Sequence, residues 1–374
     1  MPFTPSPVIL APLPAWFSAN GRRLPWRAEN LDLPHPDPYA VLVSELMLQQ
    51  TQVATVVPYF QRWMARFPDP GELARADDDE VHKLWEGLGY YRRARFLKQA
   101  ATLVARQGWP EDLRTLPGLG PYTAAAVAAI AFQRPEPALD GNAYRVLARL
   151  LGILDDPRRH SARLREWLRP ALSDLGPSLL TQALMDLGAT LCVPRPACPQ
   201  CPLAGSCEAR RQGIQDRIPP VAERPKIKVV AMWLLAVEAE GRWLLLKPAA
   251  RGLLAGLWRW PALAVAQDPP PASPDGPGAA QDPLEARTWT GWSQIYTHRK
   301  EQVTPVAARI PRRFPAPPGA AWVPAAELPA LPLGKRDQRL RALLDQAGAS
   351  ELSGTPAARL LERIEAGEAW SAIL

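Results

Sequence analysis

Two carboxylates stand in settings suited to opposite protonation states. Glu45 lies in Ser44-Glu45-Leu46-Met47-Leu48-Gln49-Gln50-Thr51-Gln52-Val53, and on a helix its i−4, i−3 and i+3 neighbours are Val41, Leu42 and Leu48. A Glu on so apolar a stripe loses solvation and its pKa rises, unless the long side chain simply snorkels to the surface. Asp140, in Leu139-Asp140-Gly141-Asn142, precedes an apolar-periodic run and reads first as an N-cap. The same helix terminus favours negative charge. One carboxyl held protonated and one held ionised is an arrangement for breaking a glycosidic bond.

Two further motifs bear chemistry. In Leu116-Pro117-Gly118-Leu119-Gly120-Pro121-Tyr122-Thr123, two glycines stand two apart between helical segments. Such glycines let the backbone take φ > 0 and approach a ligand closely, and the helix that follows points free N–H groups at an anion. A phosphate held this way is bound without reading a base; an ordinary turn between helices fits the same residues. Cys192, Cys198, Cys201 and Cys207 form a C-x5-C-x2-C-x5-C cluster and are the only cysteines in the chain. Four thiolates so close in sequence suit either tetrahedral zinc or a [4Fe-4S] cube.

The Leu116–Thr123 segment resembles the helix-hairpin-helix of the DNA glycosylase superfamily that includes endonuclease III, where an essential Asp follows about twenty residues later, as Asp140 does here. The Ser44–Val53 run is more specific and resembles MutY-type adenine DNA glycosylases. The match continues at Trp85-Glu86-Gly87-Leu88-Gly89-Tyr90-Tyr91 and Leu24-Pro25-Trp26-Arg27, and spans roughly residues 16–212. The resemblance implies that Glu45 protonates adenine and later activates water. Asp140 would stabilise the sugar cation with Tyr122 and Asn142 assisting. Lyases of the superfamily carry a Lys at the position of Tyr122 to form a Schiff base. No Lys occurs between Gln99 and Pro225, so a monofunctional enzyme that leaves an abasic site is expected.

Further roles follow from the same resemblance. Gln50 and Tyr90 would wedge into duplex DNA as the adenine is flipped out. Trp26, Arg27 and Asp186 would lie near the adenine, and Gly118, Gly120 and Tyr122 on the phosphates. The four cysteines would hold a [4Fe-4S] cluster, although the family spacing begins C-x6-C and this chain is one residue shorter. Gly252–Pro261 resembles the Nudix-like C-terminal domain of MutY, which reads 8-oxoguanine through a loop usually written Phe-Ser-His; here it is Tyr296-Thr297-His298. A pyrophosphate hydrolase needs an acidic, metal-holding helix, and the Pro/Gly/Ala stretch 267–283 stands in its place. The expected partner is double-stranded DNA with A:8-oxoguanine or A:G mispairs. The expected product is handed to downstream abasic-site repair enzymes. A T:G mismatch glycosylase and a non-catalytic iron–sulfur DNA-binding regulator are the rival readings.

The elements that would position these residues are legible in outline. From Ala40 to about Gly213, apolar residues recur at helical spacing, as in 41–60, 80–85, 92–106, 122–132, 142–151 and 179–191. Residues 1–15 are proline-rich and expected to be irregular. Pro219, Pro220 and Pro225 mark a linker over 214–225. Short β-like runs follow at 227–237, 242–247, 294–297 and 302–310, then a helix at 335–346. The expected architecture is multidomain. An all-α helix-hairpin-helix glycosylase domain (16–213) with an iron–sulfur loop (192–207) precedes a smaller α/β Nudix-like domain (226–349) and an uninterpreted tail (350–374). The helical domain is expected to fold without the rest.

Length and composition agree. The 374 residues suit two or three domains, and 47% apolar content is ample for their cores. No apolar run exceeds nine residues, against the ~20 that a spanning helix needs, so a membrane protein is not expected. The proline-broken start lacks the form of a secretory signal. Clustered cysteines point to a reducing compartment; a cytoplasmic monomer, nucleoid-associated if bacterial, is expected. Net charge is +7, and 37 of the 44 basic residues are Arg, whose planar fork suits phosphate.

Overall fold

The computed structural model describes residues 7–31, 33–220, 227–249, 254–265, 285–296, 299–310, 312–313, 315–316 and 318–347. The chain divides into two compact units, Met1–Ala76 with Arg93–Glu223, and Asp77–Arg92 with Arg224–Leu374. The division therefore differs from a single cut at the linker: residues 77–92 cluster with the C-terminal part.

The first unit is helical: α1 (Pro12–Asn20), α2 (Pro38–Leu48), α3 (Val53–Arg66) and α4 (Pro70–Arg75) precede α5 (Asp78–Trp85) of the second unit. Then come α6 (Arg92–Gln107), α7 (Pro121–Phe132), α8 (Gly141–Leu151), α9 (Ser161–Leu175), α10 (Pro177–Thr190) and the short α11 (Glu208–Arg211). Asp37 starts α2 by accepting the Tyr39 and Ala40 N–H groups, with Pro38 at the first helical position. Residues 39–47 of α2 are all buried. The alanines of α7 let α2 and α10 pack against it. Leu13 and Phe17 of α1, Leu147 of α8, Leu168 of α9 and Leu184 of α10 share one core.

Two expectations are corrected here. Residues 7–20 form a 3₁₀ turn and α1, with Leu10 and Leu13 fully buried. Prolines 12 and 14 begin that helix, where the missing N–H costs nothing. The continuous pattern 41–60 is split into α2 and α3. Gln50 takes φ 56, and the Arg93 guanidinium accounts for the break. Its Nη1 donates to the carbonyls of Leu46, Met47 and Gln49 at 2.9, 2.8 and 2.5 Å, satisfying the helix end that would otherwise propagate.

The second unit carries a mixed seven-stranded sheet. Its strands are β1 (Lys228–Ala239), β2 (Arg242–Leu246), β3 (Ala262–Val265), β4 (Glu285–Thr288), β5 (Trp292–Ile295), β6 (Arg299–Arg309) and β7 (Ala320–Pro324). The order is β4-β6-β1-β2-β7, with β3 on β1 and β5 on β6. β1 and β6 run parallel and the other pairs antiparallel. Alternation divides β1 between two cores: Leu235 and Val237 on one face, Leu234 and Ala236 on the other. α12 (Lys335–Ala347) places Leu340 on the second core, with Trp260 and Trp292. Thr297, His298, the 267–283 stretch, Gly252, Leu253, residues 221–225 and the 350–374 tail lie outside the described residues.

Candidate active site

Four elements of the first unit supply the site: Glu45 from the middle of α2, Tyr122 from the first turn of α7, Asp140 and Asn142 from the start of α8, and Asp186 from α10. Glu45 is 6% exposed. Burial and the nearby charge of Asp140 push its carboxyl up to about 7, against the hydrogen bond from the Tyr122 hydroxyl and the charge of Arg27. Tyr122 is itself raised well above an ordinary phenol by burial and by the two carboxylates.

Asp140 is the N-cap of α8 and accepts the Ala143 N–H at 2.6 Å. The Asn142 backbone and side chain also bond to it, and Arg145 adds attraction, yet burial outweighs all of these and its pKa is raised. The helix terminus thus supplies the anion-favouring bonds expected of it, while the net shift has the opposite sign to that expected. Asn142 accepts from Arg145 Nη2 at 2.8 Å. A Cβ at Gly188 would stand 2.7 Å from the Asn142 Cβ, so α10 can lie this close to α8 only without a side chain there.

Asp186 is fully engaged. Its two oxygens accept Arg22 N, Nε and Nη2 at 2.8, 2.9 and 2.5 Å, and Arg27 Nη1 and Nη2 at 2.9 and 2.8 Å. These forks hold its pKa low against burial. Two carboxylate oxygens offer about four lone-pair sites, so Asp186 is a clasp on two arginines, with no acceptor left for a base. Trp26 is buried, edge-on to Phe60 at 5.3 Å.

The hairpin is built as expected at one glycine and differently at the other. Gly118 has φ +83, and a Cβ there would stand 2.6 Å from the Phe96 Cβ. Gly120 has an ordinary φ of −71 and caps α7; its place for a Cβ meets nothing within 4 Å. Gln50 and Tyr90, the two expected wedges, lie in different units, and both are non-glycine residues with left-handed backbone, φ 56 and 49. Such positions are uncommon, and strain of this kind clusters at functional sites. Gln50 is exposed, and Tyr90 is 47% exposed. Tyr296 in the second unit is half-buried, which raises its phenol.

Several arginines escaped the reading of the sequence. Arg93, which follows Tyr90 in a run of basic residues, is buried as the clamp on the end of α2. Arg145 reaches the Gly188 and Cys192 carbonyls at 2.7 Å each. Arg149 is 2% exposed and donates to the carbonyls of Val193, Pro194 and Ile218 at 2.6, 2.9 and 2.8 Å, and lies 3.4 Å from Cys192 Sγ. The i, i+4 spacing of Arg145 and Arg149 on one helix face was their only signal. Burial and mutual repulsion push Cys201 up to about 11 and raise Cys207.

Comparison with known proteins gives this geometry a family. Residues 43–170 match the HhH-GPD superfamily base excision DNA repair protein model. The adenine DNA glycosylase of Schizosaccharomyces pombe is 32% identical over 324 residues, 70% of each chain. The chain belongs to the adenine DNA glycosylase family. The member from Arabidopsis thaliana is 36% identical over 68% of this chain and 47% of its own, and the human one 43% identical over 54% and 40%. The chain thus spans about half the length, or less, of these two adenine DNA glycosylases. Among the described residues no helix is long and apolar enough to cross a membrane.

Proposed function

We propose that this protein is a monofunctional adenine DNA glycosylase, which hydrolyses the N-glycosidic bond of adenine mispaired with 8-oxoguanine or guanine in duplex DNA. The observation that carries this reading is the buried Glu45, hydrogen-bonded to Tyr122 and pushed up to about 7. A carboxylic acid still half-protonated near neutral pH can protonate a departing base. The charge of Asp140 favours the proton on Glu45, and an ionised Asp140 at the α8 terminus stabilises the positive charge that develops on the sugar. Asn142 holds Asp140 in place and Tyr122 orients Glu45. Glu45, having given up its proton, then takes one from the attacking water. With Tyr122 at the lyase position, no amine is offered to the sugar.

Arg27 and Trp26 form the wall against which the flipped adenine is held, and Asp186 keeps Arg27 in place. Gly118, Gly120 and Tyr122 take backbone phosphate, and Gln50 and Tyr90 open the stack. The sheet unit is a Nudix-like lesion-recognition domain in which Tyr296, Thr297 and His298 read the base opposite adenine. The protein works as a cytoplasmic monomer, nucleoid-associated if bacterial, and passes abasic DNA to downstream repair enzymes.

Cys192, Cys198, Cys201 and Cys207 would hold the [4Fe-4S] cluster. The residues fit such a group: Arg149, buried against carbonyls and Cys192 Sγ, has no carboxylate bound to it among the described residues, and an anionic thiolate cluster would balance it. When bound, the cluster supplies a covalent crosslink of the 192–207 loop. Iron and acid-labile sulfide in the purified protein, in place of zinc, test this.

The activity is tested by single-turnover base release from A:8-oxoguanine, A:G and T:G duplexes. Adenine released from the first two is expected. Thymine release, or no base released from any duplex, would favour one of the two rivals.

A further inference from the structure

Tyr90 and Tyr296 lie in the same compact unit, and a continuous run of bonded groups joins them. Trp85 Nε1 donates to the Gly89 carbonyl, and the Gly87 N–H donates to the Tyr91 hydroxyl, both at 3.1 Å. These bonds fold 86–91 into a tight loop on the end of α5, with Tyr90 at φ 49. The same helix end is fastened to the sheet domain. Glu86 Oε1 accepts the Leu333 N–H at 2.9 Å, and its Oε2 pairs with Lys83 Nζ at 2.8 Å. Lys83 Nζ in turn donates to the Leu331 carbonyl at 3.3 Å. Gly256, at φ +84, lies so close to His82 that a Cβ would collide with the imidazole.

The residues that receive α5 form one platform. The Trp258 N–H donates to the Pro332 carbonyl at 3.0 Å, and Trp258 bridges to Leu333. Two residues on, the Trp260 N–H donates to Asp337 Oδ1 at 2.8 Å and its indole to the Asp337 carbonyl at 3.0 Å. Arg336 links Asp337, at 3.2 Å, to Glu301 of β6, at 3.4 Å. Glu301 also pairs with Arg299. The Arg299 carbonyl accepts the Tyr296 N–H at 2.8 Å, and its guanidinium lies 5.9 Å from the Tyr296 ring.

We propose that Glu86 is a positioning residue through which Tyr296 sets the wedge: it fixes α5 and Tyr90 to the platform on which Tyr296 also rests, so reading the opposite base and opening the stack are one event. The inference rests on the reading of Tyr90 as a wedge and of Tyr296 as part of the lesion reader. Leu333 is fully buried, and without Glu86 its N–H loses its acceptor, which is costly inside a protein. Contiguity alone does not establish coupling; a double-mutant cycle measures it.

The experiment uses full-length wild type, Glu86→Ala, Glu86→Gln, Tyr90→Ala and Glu86→Ala/Tyr90→Ala. It reads single-turnover adenine release from A:8-oxoguanine and A:G, and the fluorescence of 2-aminopurine placed beside the mispair. Glu86→Ala is expected to reduce the preference for A:8-oxoguanine by about fivefold or more, the low end of coupling between sites. It should also weaken the unstacking signal on that duplex, and slow release from A:G by less than release from A:8-oxoguanine. Glu86→Gln keeps an acceptor for the Leu333 N–H and is expected to restore both. Tyr90→Ala should cost less in the Glu86→Ala background than alone. A Glu86→Ala protein with wild-type preference, or two substitutions whose effects multiply independently, would overturn the proposal. Should Glu86→Ala fail to fold, Lys83→Ala removes the bond to Leu331 and is read in the same way. Wild type that releases no adenine from either duplex would sink the underlying functional reading, a result distinct from loss of coupling alone.

Discussion

At the scale of single residues, the site turns on where one proton rests. Burial shifts Glu45 from its ordinary 4.5 to about 7. As a general acid it must be protonated, so single-turnover adenine release is expected to fall as pH rises through about 7. Glu45→Gln is expected to bind duplex normally and lose at least ~100-fold in release, the low end for acid–base catalysis; release near the wild-type rate would place the proton elsewhere. Stability carries the same sign. The folded state binds a proton at Glu45 that the unfolded chain gives up above about 4.5, so this contribution is complete below that pH and is lost by about 7. Glu45→Gln, which cannot titrate, should therefore melt like wild type at pH 4 and higher than wild type at pH 8. Tyr122 adds a second outcome: borohydride added to enzyme and substrate should trap no more protein–DNA adduct than an inactive control. Efficient trapping would mean that an amine has found the sugar.

At the scale of elements, α7 and α8 were readable because their signals are local. Pro121 and Asp140 mark their starts, and apolar spacing carries them to Phe132 and Leu151. The break between α2 and α3 was not readable. No Gly or Pro interrupts 41–57, and the clamp that ends α2, Arg93, comes from more than forty residues away. The clasp on Asp186 was hidden for the same reason, since long-range ion pairs leave no periodicity. The hairpin yields a paired prediction. Gly118→Ala meets both a left-handed backbone and Phe96, and should destabilise the protein by about 1–3 kcal/mol. Gly120→Ala has room and an ordinary φ, so chemical denaturation should move by no more than ~0.5 kcal/mol. Its methyl group nevertheless stands where a phosphate would approach, and duplex affinity at fixed salt should fall. Equal effects of the two on stability would refute this division.

At the scale of the whole molecule, a chain cut at Arg224 retains Glu45, Asp140 and the cysteine loop. It leaves α5 without Leu331, Leu333 and Gly256. The helical part is thus less independent than the proline-rich linker suggests. The truncated protein should lose most of its preference for A:8-oxoguanine, a loss of ~5- to 150-fold for one specific base contact. It should also release adenine from A:G more slowly than the full chain, measured under single turnover at one salt concentration. Undiminished release from A:G would mean that α5 holds its shape unaided. The left-handed tips at Gln50 and Tyr90 have a consequence for anyone breeding a tougher protein. A non-glycine residue in that conformation costs about 1–2 kcal/mol, which glycine does not pay. A library sorted for heat tolerance alone should enrich glycine at positions 50 and 90, and the survivors should be the clones that release mispaired adenine slowly.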